Sequence, residues 1–275
     1  MTFSLFNKME FVEQIHSNIS LQRYNEIPMI VIEHEIGRAI ISLQGAQLLS
    51  WQPKSALQDL LWLSEAEPFK TGTAIRGGIP ICYPWFGTAK QPAHGFARTS
   101  QWVLSDWQVS EHEVKLIFGL YSENNIAIAR VRMIFAEDCR VKFTQLENSE
   151  AQAALHTYFN VGDIAQTTIF GLPKQCIDKV ANQVIEVSSP LTINKQTDYV
   201  YSGENRINHI EDRVNKRFIE VEHNNASNVV VWNPWTATTS AMTTEGHKTM
   251  LCVETARVDE TLKQGESLEV RIIQQ

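Results

Sequence analysis

The clearest order along the chain is an alternation of apolar and polar residues with a period of two. It is plain at Val114, Leu116 and Phe118, at Val141 and Phe143, and at Leu268, Val270 and Ile272. Successive side chains of a strand point to opposite faces, so this rhythm predicts β-strands with one apolar and one wet face. Runs of the same kind fall at residues 29–34, 38–43, 101–109, 126–135, 217–222 and 228–232. Their number and even spacing predict an all-β chain folded as a large, mostly antiparallel β-sandwich. Helical spacing is confined to Phe6, Met9, Val12 and Ile15, which predicts at most a short N-terminal helix. Residues 175–215 are polar and weakly periodic, and are expected to cross the surface. No repeat, linker or break in composition divides the chain, so residues 1–275 are expected to form one domain.

Composition narrows the function more than the fold. With 43% hydrophobic and 20% charged residues the chain can build a sizeable core. A formal charge of -7 argues against a nucleic-acid footprint, which needs a broad basic face. One small anion needs only two or three local cations, and such a site should appear as paired arginines. The four cysteines, Cys82, Cys139, Cys176 and Cys252, form no CxxC, so buried thiols are expected rather than a zinc site or a disulfide framework. The first residues lack a secretory pattern and no apolar run approaches about 18 residues, which points to the cytoplasm and away from a membrane. GxGxxG, Walker, GxSxG and HExxH motifs are missing, and the eight histidines have no ligand spacing. Hydride transfer, triad acyl chemistry and metal hydrolysis all lose support.

Three segments could carry chemistry. The first, residues 71–100, packs Arg76, His94 and Arg98 with Gly77-Gly78, Pro80, Pro84, Tyr83, Trp85 and Phe86 into a non-periodic stretch. Gly-Gly would let backbone approach a ligand, the aromatics could line a pocket, and two arginines around a histidine suit an anion. A proline-rich connection with core aromatics fits the same residues. The second is ALHTYFNVGD, where His156 stands in an apolar run with Leu155 and Thr157 on the opposite face. It is either a satisfied core histidine or a general acid working near neutrality. The third is MLCVETARV, where Glu254 interrupts an apolar strand. That carboxylate either faces solvent or faces a polar pocket as a base. Just before it, VVVWNPW sets Trp232, Asn233 and Trp235 at a strand end, where aromatic faces suit either a sugar or a core.

Taken together and in order, GAQLLSWQP from Gly45, IRGGIPICYPWFG from Ile75, PAHGFAR from Pro92, ALHTYF from Ala154, VVVWNPW from Val229 and CVETARV from Cys252 resemble the aldose 1-epimerase family, in its glucose-6-phosphate 1-epimerase branch. The resemblance runs from about residue 25 to the end. It implies a galactose mutarotase-like sandwich that binds sugar in a shallow groove without metal or nucleotide, and a monomer acting on a phosphosugar. By motif match it implies His156 as the acid at the ring oxygen and Glu254 as the base at the anomeric hydroxyl. Arg76 and Arg98 match the arginines of the phosphate branch, and His94 a sugar contact. Asp198, in QTDYVY, resembles an acidic sugar contact, although Tyr199 replaces the arginine of the related motif. Some relatives carry Gln before the histidine of HGFAR, where this chain has Ala93, with Gln91 two residues earlier as the candidate for that contact. A non-catalytic carbohydrate sensor and a mutarotase of unphosphorylated aldoses are the alternatives; a glycosidase would need a second carboxylate at a set distance.

Overall fold

The computed structural model describes residues 8–88, 90–203 and 206–275. Those residues form three sheets whose strand pairings are antiparallel. A five-stranded meander runs in chain order from Glu10–His16 to Gln47–Pro53. A nine-stranded sheet is centred on Arg217–Asn224, Ser267–Gln274, Cys139–Gln145 and Ala127–Phe135. The third, eight-stranded sheet has at its middle Thr197–Ser202, Asn228–Asn233, Met250–Leu262 and Ala151–Leu155, with Tyr158–Asn160 also paired to Met250–Leu262.

One core joins the three layers. Ile30 and Ile41 come from the meander, Phe118, Val131, Phe143 and Val270 from the nine-stranded sheet, and Val229, Val231, Leu251 and Val253 from the eight-stranded sheet. Alternation assigns these residues to one face, and on that face each aliphatic side chain leaves water for a stabilisation of about 2 kcal/mol.

The eight-stranded sheet departs from the expected wet and dry faces. Consecutive residues are buried on both faces over 228–231 in Asn228–Asn233 and over 250–256 in Met250–Leu262. The face turned away from the main core holds two small clusters instead: Trp62, Tyr158, Met250 and Cys252 in one, Cys82, Ala154, Val230 and Ala256 in the other. Polar side chains between those clusters are therefore withheld from bulk water by their neighbours, not by the core.

Two further expectations are corrected. Met9, Val12 and Ile15 belong to no helix: Glu10–His16 is an edge strand bulged where it pairs with Ile19–Tyr24, and Phe6 lies outside the described residues. Spacings of three on a bulged edge strand imitate a helical stripe. Residues 175–215 also carry the strands Gln175–Asp178, Gln183–Glu186, Leu191–Thr192, Thr197–Ser202 and Ile207–Asp212. Their polar outward residues hid the alternation, because short strands offer few apolar positions to count.

Candidate functional site

Strand register decides which side chains meet. Ala154 pairs with Ala256, Leu155 with Thr255 and Tyr158 with Cys252, so the same register sets His156 opposite Glu254. Trp232 pairs with both Asp198 and Cys252, which puts Asp198, Trp232, Cys252 and Tyr158 in one row across four strands. The adjacent row is Val200, Val230, Glu254 and His156. Both rows lie on the face away from the main core. The regular strand stops at His156, whose N–H bonds to Pro80 O at 3.0 Å.

His156 Nε2 lies 3.4 Å from Glu254 Oε1, with His156 7% and Glu254 1% exposed. Neither the solvent-facing carboxylate nor the satisfied core histidine describes them. Glu254 Oε2 and His156 Nδ1 are buried without a hydrogen-bond partner. Orphaned polar atoms cost about 1–3 kcal/mol each, a cost that natural cores avoid and ligand sites carry.

Burial and its neighbours push the pair toward uncharged forms. The imidazole of His156 is held well below the ordinary histidine range, first by burial, then by its neighbour His94, with which it cannot readily share positive charge, and by the guanidiniums of Arg76 and Arg98. The Glu254 carboxyl is pushed well above the ordinary range by burial and then by the negative charge of Asp198. A histidine titrating near neutrality, as the sequence suggests, is thus not what this environment produces.

The arginines approach from the loop side. Arg76 donates from Nη1 to Tyr158 Oη at 3.0 Å, from Nε to Ser240 O at 3.2 Å and from Nη2 to Ser240 Oγ at 3.1 Å. Its guanidinium lies 5.9 Å from the Trp232 ring centre, and its backbone N–H is held by Glu67 Oε2 at 2.7 Å. Arg98 sits in the short 3-10 turn Ala97–Thr99, donates from Nη2 to Ala93 O at 2.7 Å, and keeps a buried Nε without a partner.

His94 bridges the two ends. Its Nδ1 lies 3.4 Å from Gly87 N–H and 3.4 Å from Cys82 Sγ. An N–H can only donate, so Nδ1 accepts and the ring proton belongs on Nε2, where it is free for a ligand. Burial, then Arg98 and Arg76, push its pKa down to about 4, which favours the neutral ring near pH 7.

A family description, "Aldose 1-epimerase", matches residues 28–275 of the chain. The chain belongs to the aldose 1-epimerase family. A relative from Haemophilus influenzae named "Putative glucose-6-phosphate 1-epimerase" is 46% identical over 266 residues, covering 96% of this chain and 98% of its own length. A solved structure from Salmonella typhimurium, described as a "putative mutarotase", has a TM-score of 0.94 at 33% identity, covering 100% of this chain and 99% of that one. Galactose 1-epimerase from Lactobacillus acidophilus has a TM-score of 0.71 at 14% identity over 98% of each chain, a likeness of fold alone.

Within this aldose 1-epimerase fold, most of the candidate residues converge. His156, Glu254, Arg76, His94 and Trp232 are joined by direct contacts: the His156 ring meets Trp232 edge-on at 6.1 Å and His94 at 5.8 Å. Arg98 and Asp198 act on them through charge. Asp198 is half-buried, and burial raises its carboxyl despite Lys179. Gln91 stands apart: it is exposed, and no side-chain contact links it to the others among the described residues.

Three expectations for the 71–100 segment change. Tyr83 lines no pocket but is fully buried against Phe143, its hydroxyl donating to Glu147 at 3.0 Å. Trp85 donates its indole N–H to Pro92 O at 2.9 Å, and only Phe86, 5.0 Å from His94, borders the site. Gly77 and Gly78 approach the protein itself, since a Cβ would lie 2.5 Å from Trp62 O and 2.1 Å from Leu48 O respectively. Sequence reasoning missed Tyr158, Ser240 and Cys82. Tyr158 was accessible to it, standing two residues from His156 on the same strand face; Ser240 gave no signal.

Proposed function

We propose that this protein interconverts the α and β anomers of glucose 6-phosphate and related hexose 6-phosphates. The observation that carries the reading is the buried pair of His156 and Glu254, 3.4 Å apart with one unpartnered atom each, lying within the field of Arg76 and Arg98. The names of the more similar relatives favour the phosphorylated sugar.

The reaction needs one proton removed from the O1 hydroxyl and one delivered to O5. Glu254, as the carboxylate, takes the O1 proton and the O1 electrons form the carbonyl. The C1–O5 bond breaks, its electron pair stays on O5, and His156, as the imidazolium, protonates O5. Rotation about C1–C2 presents the other face of the aldehyde, and the same steps in reverse close the ring. A pair sharing one proton holds the right inventory, whether that proton rests on Glu254 or on His156. The 6-phosphate on Arg76 and Arg98 offsets the positive charge that depresses His156, which favours the charged form the step requires. His94 Nε2–H and the Trp232 face hold the sugar, and Asp198 faces its hydroxyls.

Anomer-resolved NMR of freshly dissolved α-glucose 6-phosphate, with and without the protein and beside free glucose, tests this. Faster equilibration of the phosphosugar is expected. Acceleration of free glucose alone would make the protein a mutarotase of unphosphorylated aldoses, and binding without acceleration would make it a carbohydrate-recognition sandwich.

A further inference from the structure

A catalytic histidine is usually oriented by a hydrogen bond to its second ring nitrogen. His156 has no such anchor, because its Nδ1 is buried without a partner from another residue. Its ring instead lies flat on Tyr158, with centroids 4.7 Å apart and planes inclined by 6°. Tyr158 is itself 2% exposed and backed by Trp62 at 6.0 Å and 21°, and the Trp62 indole is tied to Thr249 Oγ1 at 3.2 Å. The backbone of Tyr158 is fixed too, its N–H donating to Gly78 O at 2.9 Å and its C=O accepting from Trp62 N–H at 2.9 Å. The far end of the same side chain accepts from Arg76 Nη1 at 3.0 Å.

We propose that Tyr158 is a positioning residue with two functions: its ring sets the orientation of His156 by stacking, and its hydroxyl sets Arg76, so that one rigid side chain fixes the distance between the proton-transfer end and the phosphate end of the site. The inference rests on the proposed phosphosugar reaction for its kinetic consequences and on geometry alone for its structural ones. A tyrosine has two side-chain torsions, here immobilised by packing, so it spans the site with little freedom to lose.

The two functions separate by substitution. Tyr158→Phe keeps the ring and deletes the bond to Arg76. The Michaelis constant for glucose 6-phosphate should rise about tenfold, the change expected for losing one neutral partner of a charged donor, with a much smaller fall in kcat. Tyr158→Leu deletes the stack, and kcat should fall at least about tenfold on glucose 6-phosphate because the acid is no longer aimed. NMR of the imidazole protons gives a readout that does not depend on turnover. Wild type and Tyr158→Phe should show an upfield ring-current displacement of the His156 protons and cross-peaks to the ring of residue 158, and Tyr158→Leu should lose the displacement.

A wild-type spectrum without those cross-peaks overturns the stacking role, and does so even if Tyr158→Leu fails to fold. Equal kinetic losses in kcat and the Michaelis constant for Tyr158→Phe overturn the hydroxyl role. If wild type accelerates no phosphosugar, the proposed reaction fails, and the cross-peaks still decide whether Tyr158 orients His156.

Discussion

Arg98→Met is the sharpest perturbation of the proposed anion site, because the arginine acts on two observables at once. Its guanidinium has one protein partner at Nη2, Ala93 O at 2.7 Å, and a buried Nε with none, so hydrogen-bonding capacity is left for a ligand. A charge-assisted bond to phosphate contributes about 1.5–3 kcal/mol, which converts to roughly a 10- to 150-fold rise in the Michaelis constant for glucose 6-phosphate when one such bond is lost. Free glucose carries no phosphate for Arg98 to bind, and its Michaelis constant should alter by less than about threefold. The second observable is His94, whose pKa of about 4 is set first by burial and next by the Arg98 charge. Removing that charge makes the imidazolium less costly, so the His94 pKa must rise. Anomer-resolved NMR over a series of sugar concentrations measures the first effect and a histidine titration by NMR the second. Methionine fills much of the arginine's apolar volume, and Arg98→Lys, which keeps the charge but not the fork, should fall between wild type and Arg98→Met on both measures. Equal losses on glucose 6-phosphate and glucose would refute the phosphate role, and an unmoved His94 would refute the electrostatic account.

His156→Asn and Glu254→Gln should each lower kcat by about 10²- to 10⁴-fold, with smaller effects on sugar binding measured by calorimetry. Glu254→Gln should also stabilise the fold. The folded Glu254 pKa is raised, so the native state holds its proton more tightly than the unfolded chain, and wild-type stability drains away as pH rises above about 4.5 toward the folded value. The variant lacks that loss, and its advantage in thermal melting should be small near pH 5 and grow toward pH 8; an advantage that shrinks with pH would contradict the burial of an ionisable group. Gly78→Ala should lose about 3 kcal/mol or more in denaturant unfolding, because its φ is +62° and the new Cβ would meet Leu48 O at 2.1 Å. An unchanged midpoint would show that the loop has room that the geometry denies.

The sequence determined the all-β class, since alternation records which face of a strand sees the core whatever its partners are. It also marked His156 and Glu254, because a titratable residue inside an apolar run has few ways to be tolerated. Where those runs lie in space was another matter. Nothing within ALHTYF or CVETARV says that residues 98 apart face each other, as 254 and 156 do here; that follows from a register that begins at Ala154 and Ala256 and continues through Leu155 and Thr255. Residue type likewise could not separate Tyr83, which is spent in the core, from Tyr158, which underlies His156. Nor could it tell that Gly77-Gly78 accommodates the protein's own backbone, or that Ser240, in a loop without periodicity, closes on Arg76. Strand identity is a local property of side-chain rhythm, legible one segment at a time. The pairing of strands, the burial on both faces of the eight-stranded sheet and the charge environment of the site depend on segments distant in sequence, and only the tertiary structure brings those segments together.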